Sequence, residues 1–189
     1  MRLSAAVLPP ESACQELADL VRSVAPDTRE LEPVYSPEMH IPITSFGNVA
    51  LRDSMVLRST MRRMAATWRS PKLRFSGGTA LEWPGDNCVW AKLDGDVDDL
   101  REVARGVPTA VRPLGFLVDR RTFRPWLSVG CITDHTSAPY LQRLVDALED
   151  FQGELWTLTE FCLLQRRPAD DADAPDITEV VERYPLASR

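Results

Sequence analysis

The sequence predicts an α+β fold built on antiparallel sheets, and three observations carry that expectation. Along the chain, apolar residues switch between the period of two expected of strands and the three-and-four spacing of amphipathic helices. The strand-like runs are short and often hairpin-linked, as at Pro84-Gly85-Asp86-Asn87, which favours antiparallel pairing over a doubly wound parallel sheet. The second half also repeats the element order of the first. Each half holds a strand that follows a proline, reaches a turn and gives way to a helical pattern. One reads Glu38-Met39-His40-Ile41-Pro42-Ile43-Thr44-Ser45-Phe46-Gly47, the other Arg124-Pro125-Trp126-Leu127-Ser128-Val129-Gly130-Cys131.

Taken in order, residues 2–8 read as a strand ending at Pro9-Pro10. Residues 11–24 carry Leu17, Leu20, Val21 and Val24 at helical spacing. A short strand is expected over 31–35, a turn at Ser36-Pro37, and then the His40 strand. Residues 54–68 form a helix whose apolar stripe is Met55, Leu57, Met61, Met64 and Trp68. A strand over 72–83, interrupted at Gly77-Gly78, returns after the turn as a strand over 88–93. The helix expected over 97–107 begins with Asp96, Asp98 and Asp99, which suit the positive end of the helix dipole. Short strands over 115–118 and 125–132 follow, then a helix over 137–151 carrying Leu141, Leu144, Val145 and Leu148. Residues 154–165 make the longest strand candidate. The stretch 168–176 is an acidic, apolar-poor loop, and 177–184 a closing strand.

The 189-residue length suits one domain, 1–189, formed as a single core or as two closely packed lobes. A formal net charge of −6 argues against a duplex-DNA binder, which needs an excess of Lys and Arg, but permits a small anion in a locally basic cleft. Apolar stretches such as 5–8 and 161–164 are too short to span a bilayer, and the N-terminus lacks a secretory pattern, so a cytoplasmic protein without membrane partners is expected. Cys14, Cys88, Cys131 and Cys162 are widely separated with no C-x-x-C, and two histidines do not complete ligand pairs. No metal or other cofactor is expected.

Several short motifs occur in a telling order. Val7-Leu8-Pro9-Pro10 ends the first strand, Pro37-Glu38-Met39-His40 opens the first motif, and Phe46-Gly47-Asn48-Val49 follows it. Gly115-Phe116 and Phe123-Arg124-Pro125 precede the second motif. Phe151-Gln152-Gly153, Leu163-Leu164-Gln165 and Tyr184-Pro185-Leu186 close the chain. This series resembles the 2H phosphoesterases, specifically the 2'-5' RNA ligase and RNA 2',3'-cyclic phosphodiesterase family, over nearly the whole chain. The resemblance implies two pseudo-symmetric lobes of antiparallel sheets with flanking helices around a central cleft. It also implies a His-x-Thr or His-x-Ser strand from each lobe. Residues two apart on a strand share a face, so histidine and hydroxyl enter the cleft together. One histidine acts as general base and the other as general acid, while the hydroxyls hold the phosphate oxygens without a metal.

This chain departs from that pattern at two positions of four. His40 keeps the first histidine, the candidate catalytic residue, but Pro42 replaces the hydroxyl. Trp126 replaces the second histidine, and Ser128 keeps the second hydroxyl. Thr44, two steps beyond Pro42, is a candidate substitute hydroxyl, and Arg124 a candidate anion contact. Indole has no titrating proton near neutral pH, so Trp126 supplies neither acid nor base. Three readings stay open. The cleft binds a nucleotide or RNA end with little or no catalysis, with Trp126 as a stacking surface. Alternatively, Trp126 plugs the cleft and leaves an interaction or structural module. In the third, His40 works as an RNA 2',3'-cyclic phosphodiesterase with Tyr35, Tyr140 or water. His135, Arg62-Arg63 and Arg120-Arg121 read as solvated turn, face or loop residues.

Overall fold

Short apolar runs with period-two burial pair antiparallel throughout, and they divide into two sheets. The computed structural model describes residues 1–24, 29–34, 39–119, 122–168 and 177–188. Among these the chain runs β1 (Arg2–Val7), α1 (Glu11–Val24), β2 (Leu31–Pro33), β3 (Ile41–Asn48), α2 (Leu51–Ala65), β4 (Lys72–Ala80) and β5 (Cys88–Gly95). It continues with α3 (Val97–Val111), a 3-10 turn (Arg112–Leu114), β6 (Trp126–Ile132), α4 (Ala138–Asp150), β7 (Trp156–Thr157), β8 (Glu160–Arg167) and β9 (Ile177–Pro185). One sheet has the order β3-β1-β8-β9, the other β2-β6-β5-β4-β7. The α+β class with two antiparallel sheets and flanking helices is as the sequence predicts.

Local sequence sets the helices. Pro9-Pro10 stop β1, and α1 follows at once with Ala13, Cys14, Leu17 and Val21 on its buried face. Ser137 caps α4 by accepting the Tyr140 amide at 3.3 Å, with Pro139 in the first turn, where its missing N–H costs nothing. The helices cross between lobes. α1 packs on α4 and β6, and α4 on β4, so this pair covers the five-stranded sheet. α2 and α3 pack on each other and on β9 and β3 of the four-stranded sheet. Close approach of α3 to the segment just after α2 needs Gly106, where a Cβ would meet the Trp68 ring at 2.2 Å.

Five expectations are corrected. The helix predicted over 54–68 starts at Leu51 and ends at Ala65. Its buried face is Ser54, Leu57, Thr60, Met61 and Ala65, so Met55 falls off the stripe and is 68% exposed. Residues 115–118 form no strand. This segment is fastened to the edge of β3 by side chains instead, with the Asp119 amide donating to Thr44 Oγ1 at 3.1 Å and Phe116 edge-on to Phe46. The single strand expected over 154–165 is two, β7 in one sheet and β8 in the other. Between them Leu158 N donates to Pro71 O and Leu186 N to Thr159 O, both acceptors backbone groups, so the chain is held on both sides as it passes from one sheet to the other. The strand predicted over 31–35 ends at Pro33, and that over 72–83 at Ala80. Tyr35, the turn at Ser36-Pro37, Arg120-Arg121 and most of the acidic 168–176 stretch lie outside the described residues.

Burial has a testable consequence at alkaline pH. Cys14 and Cys162 are buried, and that burial pushes each thiol up from 9.0 to about 11. The folded chain thus keeps protons that the unfolded chain releases. Their contribution is whole below pH about 9 and is lost as pH rises through about 11. Melting temperature should fall across that window, and less so in a Cys14→Ala, Cys162→Ala double variant. Equal falls in the two proteins would assign the alkaline loss to other groups.

Candidate functional site

A groove of about 800 Å³ lies between the sheets, with His40 and Pro42 on one wall and Trp126 on the other. The two proline-led strands therefore border one cleft. Its His40 wall belongs to the four-stranded sheet. There two bulges in β3, at Ile43 and Phe46, change the parity of the strand. Pro42 lies opposite Ala6, Ser45 opposite Ser4 and Asn48 opposite Arg2, so every third residue shares the groove side. Thr44 lies opposite Ala5 on the other face. It still borders the groove, but it is 5% exposed and its hydroxyl oxygen accepts from the Asp119 amide. A hydroxyl on the groove side is supplied by Ser45, not by Thr44 as simple alternation implies.

The opposite wall is aromatic. In β5 and β6, Lys92 lies opposite Trp126 and Trp90 opposite Ser128, so all four share a face. Trp90 packs against Trp126 at 6.4 Å between ring centroids and against Trp83 at 5.7 Å. Each such pair contributes about 0.5–1.5 kcal/mol beyond area burial. The Arg124 guanidinium lies between two of these rings, 4.4 Å from the Trp83 centroid and 4.9 Å from that of Trp126. Trp83 and Trp90 sit on the hairpin Pro84-Gly85-Asp86-Asn87, which Asp86 organises. Its carboxylate is 8% exposed and accepts from the Glu82 amide (3.0 Å), the Cys88 amide (3.1 Å) and Trp90 Nε1 (3.0 Å).

Ser128 keeps the expected strand face but not the expected access. Trp126 precedes it by two residues and Trp90 faces it across the strand pair, and its Oγ is buried with no hydrogen-bond partner among the described residues. Trp126 itself is half-buried in the wall and leaves the groove open beside it, so it does not plug the cleft. Tyr140 is buried in α4 and is no part of the groove lining. His135 is exposed in the turn before α4, and Arg62 pairs with Glu182 on the outer side of the sheet. Further along this wall Cys88 and Cys131 lie opposite each other with sulfurs 3.6 Å apart. Burial, then the Cys88 contact, pushes the Cys131 thiol up to about 11. Among the described residues no cluster of three His, Cys, Asp or Glu side chains is placed to hold a metal. Nor is any described helix long and apolar enough to cross a membrane.

Two parts of the groove escape the motif reading. Trp83 and Trp90 supply most of the aromatic wall, and Arg2 and Arg166 add charge to the other. Trp90 was open to recognition, since Val89, Ala91 and Leu93 carry the buried parity of β5 and leave an indole on the polar parity. Among the described residues three arginines and one aspartate, Asp119, line the groove, so it is locally basic in a chain of net charge −6.

No protein-family model matches the sequence, and no curated protein does. Solved structures do match. The protein TT0787 of Thermus thermophilus is 19% identical with a TM-score of 0.75, covering 100% of this chain and 99% of that one. E. coli LigT complexed with 3'-AMP is 16% identical with a TM-score of 0.70, covering 98% of each chain. Kluyveromyces marxianus Usb1 with uridine monophosphate is 13% identical with a TM-score of 0.54, covering 97% of this chain and 98% of that one. The chain has the α+β fold of E. coli LigT, the fold that the resemblance to the 2'-5' RNA ligase family implies.

Proposed function

We propose that this chain is a 2'-5' RNA ligase-like member of the 2H phosphoesterases that has lost one catalytic histidine and binds a nucleotide or RNA end in its groove with little or no catalysis. The observation that carries this reading is the groove itself, open between the sheets, with His40 on one wall and the Arg124–Trp126 stack on the other. A histidine pair moves one proton onto the leaving oxygen while removing another from the attacking oxygen. His40 offers one of these functions, and Trp126, with a single indole N–H, offers neither. Losing one acid/base group costs roughly 10²–10⁴-fold in rate. Binding needs no such pair. Indole faces stack bases of any sequence, and the Arg124 guanidinium attracts phosphate. The 3'-AMP and uridine monophosphate held by LigT and Usb1 support a nucleotide as ligand class.

The test is a titration with 3'-AMP and 2',3'-cyclic AMP, read by indole fluorescence and thermal shift, followed by turnover of the cyclic nucleotide without added metal. Saturable binding is expected, with turnover roughly 10²–10⁴-fold below that of a two-histidine relative. Turnover equal to such a relative would show that a second acid/base group was overlooked. Absence of any nucleotide-induced shift would remove the binding reading.

A further inference from the structure

The aromatic wall ends in two thiols that face each other across a strand pair. Cys88 on β5 lies directly opposite Cys131 on β6, and their sulfurs are 3.6 Å apart. Ile132 N donates to Asn87 O at 2.7 Å, so the neighbouring pair is the hydrogen-bonded one and Cys88–Cys131 is a non-hydrogen-bonded one. In such pairs the Cα atoms come within about 4.5 Å, inside the span of about 4.4–6.8 Å that a disulfide bridges. Forming a bond of about 2.05 Å from the present contact is a side-chain movement of about 1.5 Å and needs no change of register. Both cysteines are half-buried and within reach of a small molecule, whereas Cys14 and Cys162 are 5% and 1% exposed.

The pair also sits at the root of the hairpin that builds the wall. The Cys88 amide donates to the Asp86 carboxylate, which accepts Trp90 Nε1 and the Glu82 amide as well. Asp86 N in turn donates to Trp83 O at 2.9 Å. A covalent tie at Cys88 therefore acts on the hydrogen bonds that hold Trp83 and Trp90 in place. We propose that Cys88 and Cys131 are a reversible disulfide site that clamps this hairpin to β6. The oxidant is a small-molecule disulfide of the glutathione type. The Cys88 thiolate attacks one of its sulfurs, forming a mixed disulfide and releasing one small thiol. Cys131, as thiolate, then attacks the Cys88 sulfur, forming the protein bond and releasing the second. Two protein thiols are oxidised, one small disulfide is reduced to two thiols, and both protons pass to the released thiolates. Burial, then the Cys88 contact, pushes the Cys131 thiol up to about 11, so Cys88 opens the exchange. The second of those causes disappears once Cys88 is in the mixed disulfide. The clamp does not depend on what the groove binds.

The purified chain is equilibrated with excess oxidised glutathione and then freed of it. Its mass should fall by two hydrogens, with two of the four thiols lost and Cys88 linked to Cys131 in the peptide map. Because the bond joins residues 43 apart in sequence, melting temperature should rise by at least about 5 °C. Hydrogen exchange of the Glu82, Asp86 and Cys88 amides should slow by at least about threefold relative to the amides of β1. Dithiothreitol should reverse these changes, and Cys88→Ser should show none of them. Four free thiols after oxidation, a glutathione adduct without ring closure, or a bridge to Cys14 or Cys162 would overturn the site. A Cys88–Cys131 bond with unchanged hairpin exchange would overturn the clamp. Mass, peptide map and exchange on the unaltered chain decide the matter even if the Cys88→Ser variant fails to fold.

Discussion

Trp126→His combined with Pro42→Thr is expected to raise turnover of 2',3'-cyclic AMP roughly 10²-fold over the unaltered chain. The two changes place a His-x-hydroxyl strand on each wall. Pro42 lies on the groove side of β3 opposite Ala6, two residues from His40, so a threonine there points into the cleft. A histidine at 126 shares the face of Ser128, and removing the indole uncovers the buried Ser128 Oγ. The cost in packing is moderate. Trp126 is half-buried, and its replacement forfeits contacts to Trp90 at 6.4 Å and Arg124 at 4.9 Å. Those contacts are worth roughly 1–2 kcal/mol together, less than the roughly 3–5 kcal/mol of a fully buried tryptophan. Steady-state turnover and thermal melting decide the outcome. A folded but inert variant would reduce the phosphoesterase reading to fold-level likeness. An unfolded one would assign Trp126 to structure.

Gly95→Ala is expected to destabilise the protein by roughly 2–4 kcal/mol. Gly95 has φ +105, a conformation L side chains rarely adopt, and an added Cβ would meet the backbone oxygen of Lys72 at 2.4 Å. That oxygen already accepts the Asp96 amide at 2.8 Å, and the Asp96 carboxylate accepts the Lys72 amide at 2.9 Å. Backbone on both sides leaves nothing flexible to yield. The strain falls where β5 passes into α3, at the open end of the β4–β5 pair whose other end carries the Pro84–Asn87 turn. Urea unfolding measures the effect, and a loss within about 0.5 kcal/mol, as for an ordinary surface change, would show that the turn relaxes freely.

Much of the groove lining is legible in the sequence, and what is not has one cause. His40, Arg124 and Trp126 were found from motif order and all border the groove. Thr44 was placed by counting in twos from His40, and the bulge at Ile43 breaks that count, as the one at Phe46 does further along. Both bulged residues are buried apolar side chains, at 9% and 3% exposure, so they read as ordinary members of a strand. Ser128 was read as accessible because alternation gives the face of a residue, not what covers it. Its cover comes partly from Trp90 on a neighbouring strand. Arg2 and Arg166 on the groove wall were invisible for a similar reason. Arg2 and Arg166 are far apart in sequence and meet only through the pairing of β1 with β8.

By itself the sequence determined the α+β class, the bounds of α1, the extent of α4 from Ser137 to Phe151, and the absence of a titrating side chain at position 126. These follow from local periodicity, from proline and serine chemistry at helix ends, and from the identity of one side chain. Tertiary structure alone decided which residues share the groove. It set the bulges that carry Ser45 inward, the crossing that splits 154–165 between two sheets, and the meeting of Arg2 with Arg166. Register and sheet membership depend on contacts between residues distant along the chain, and a pattern of alternation is the same whichever neighbour a strand takes.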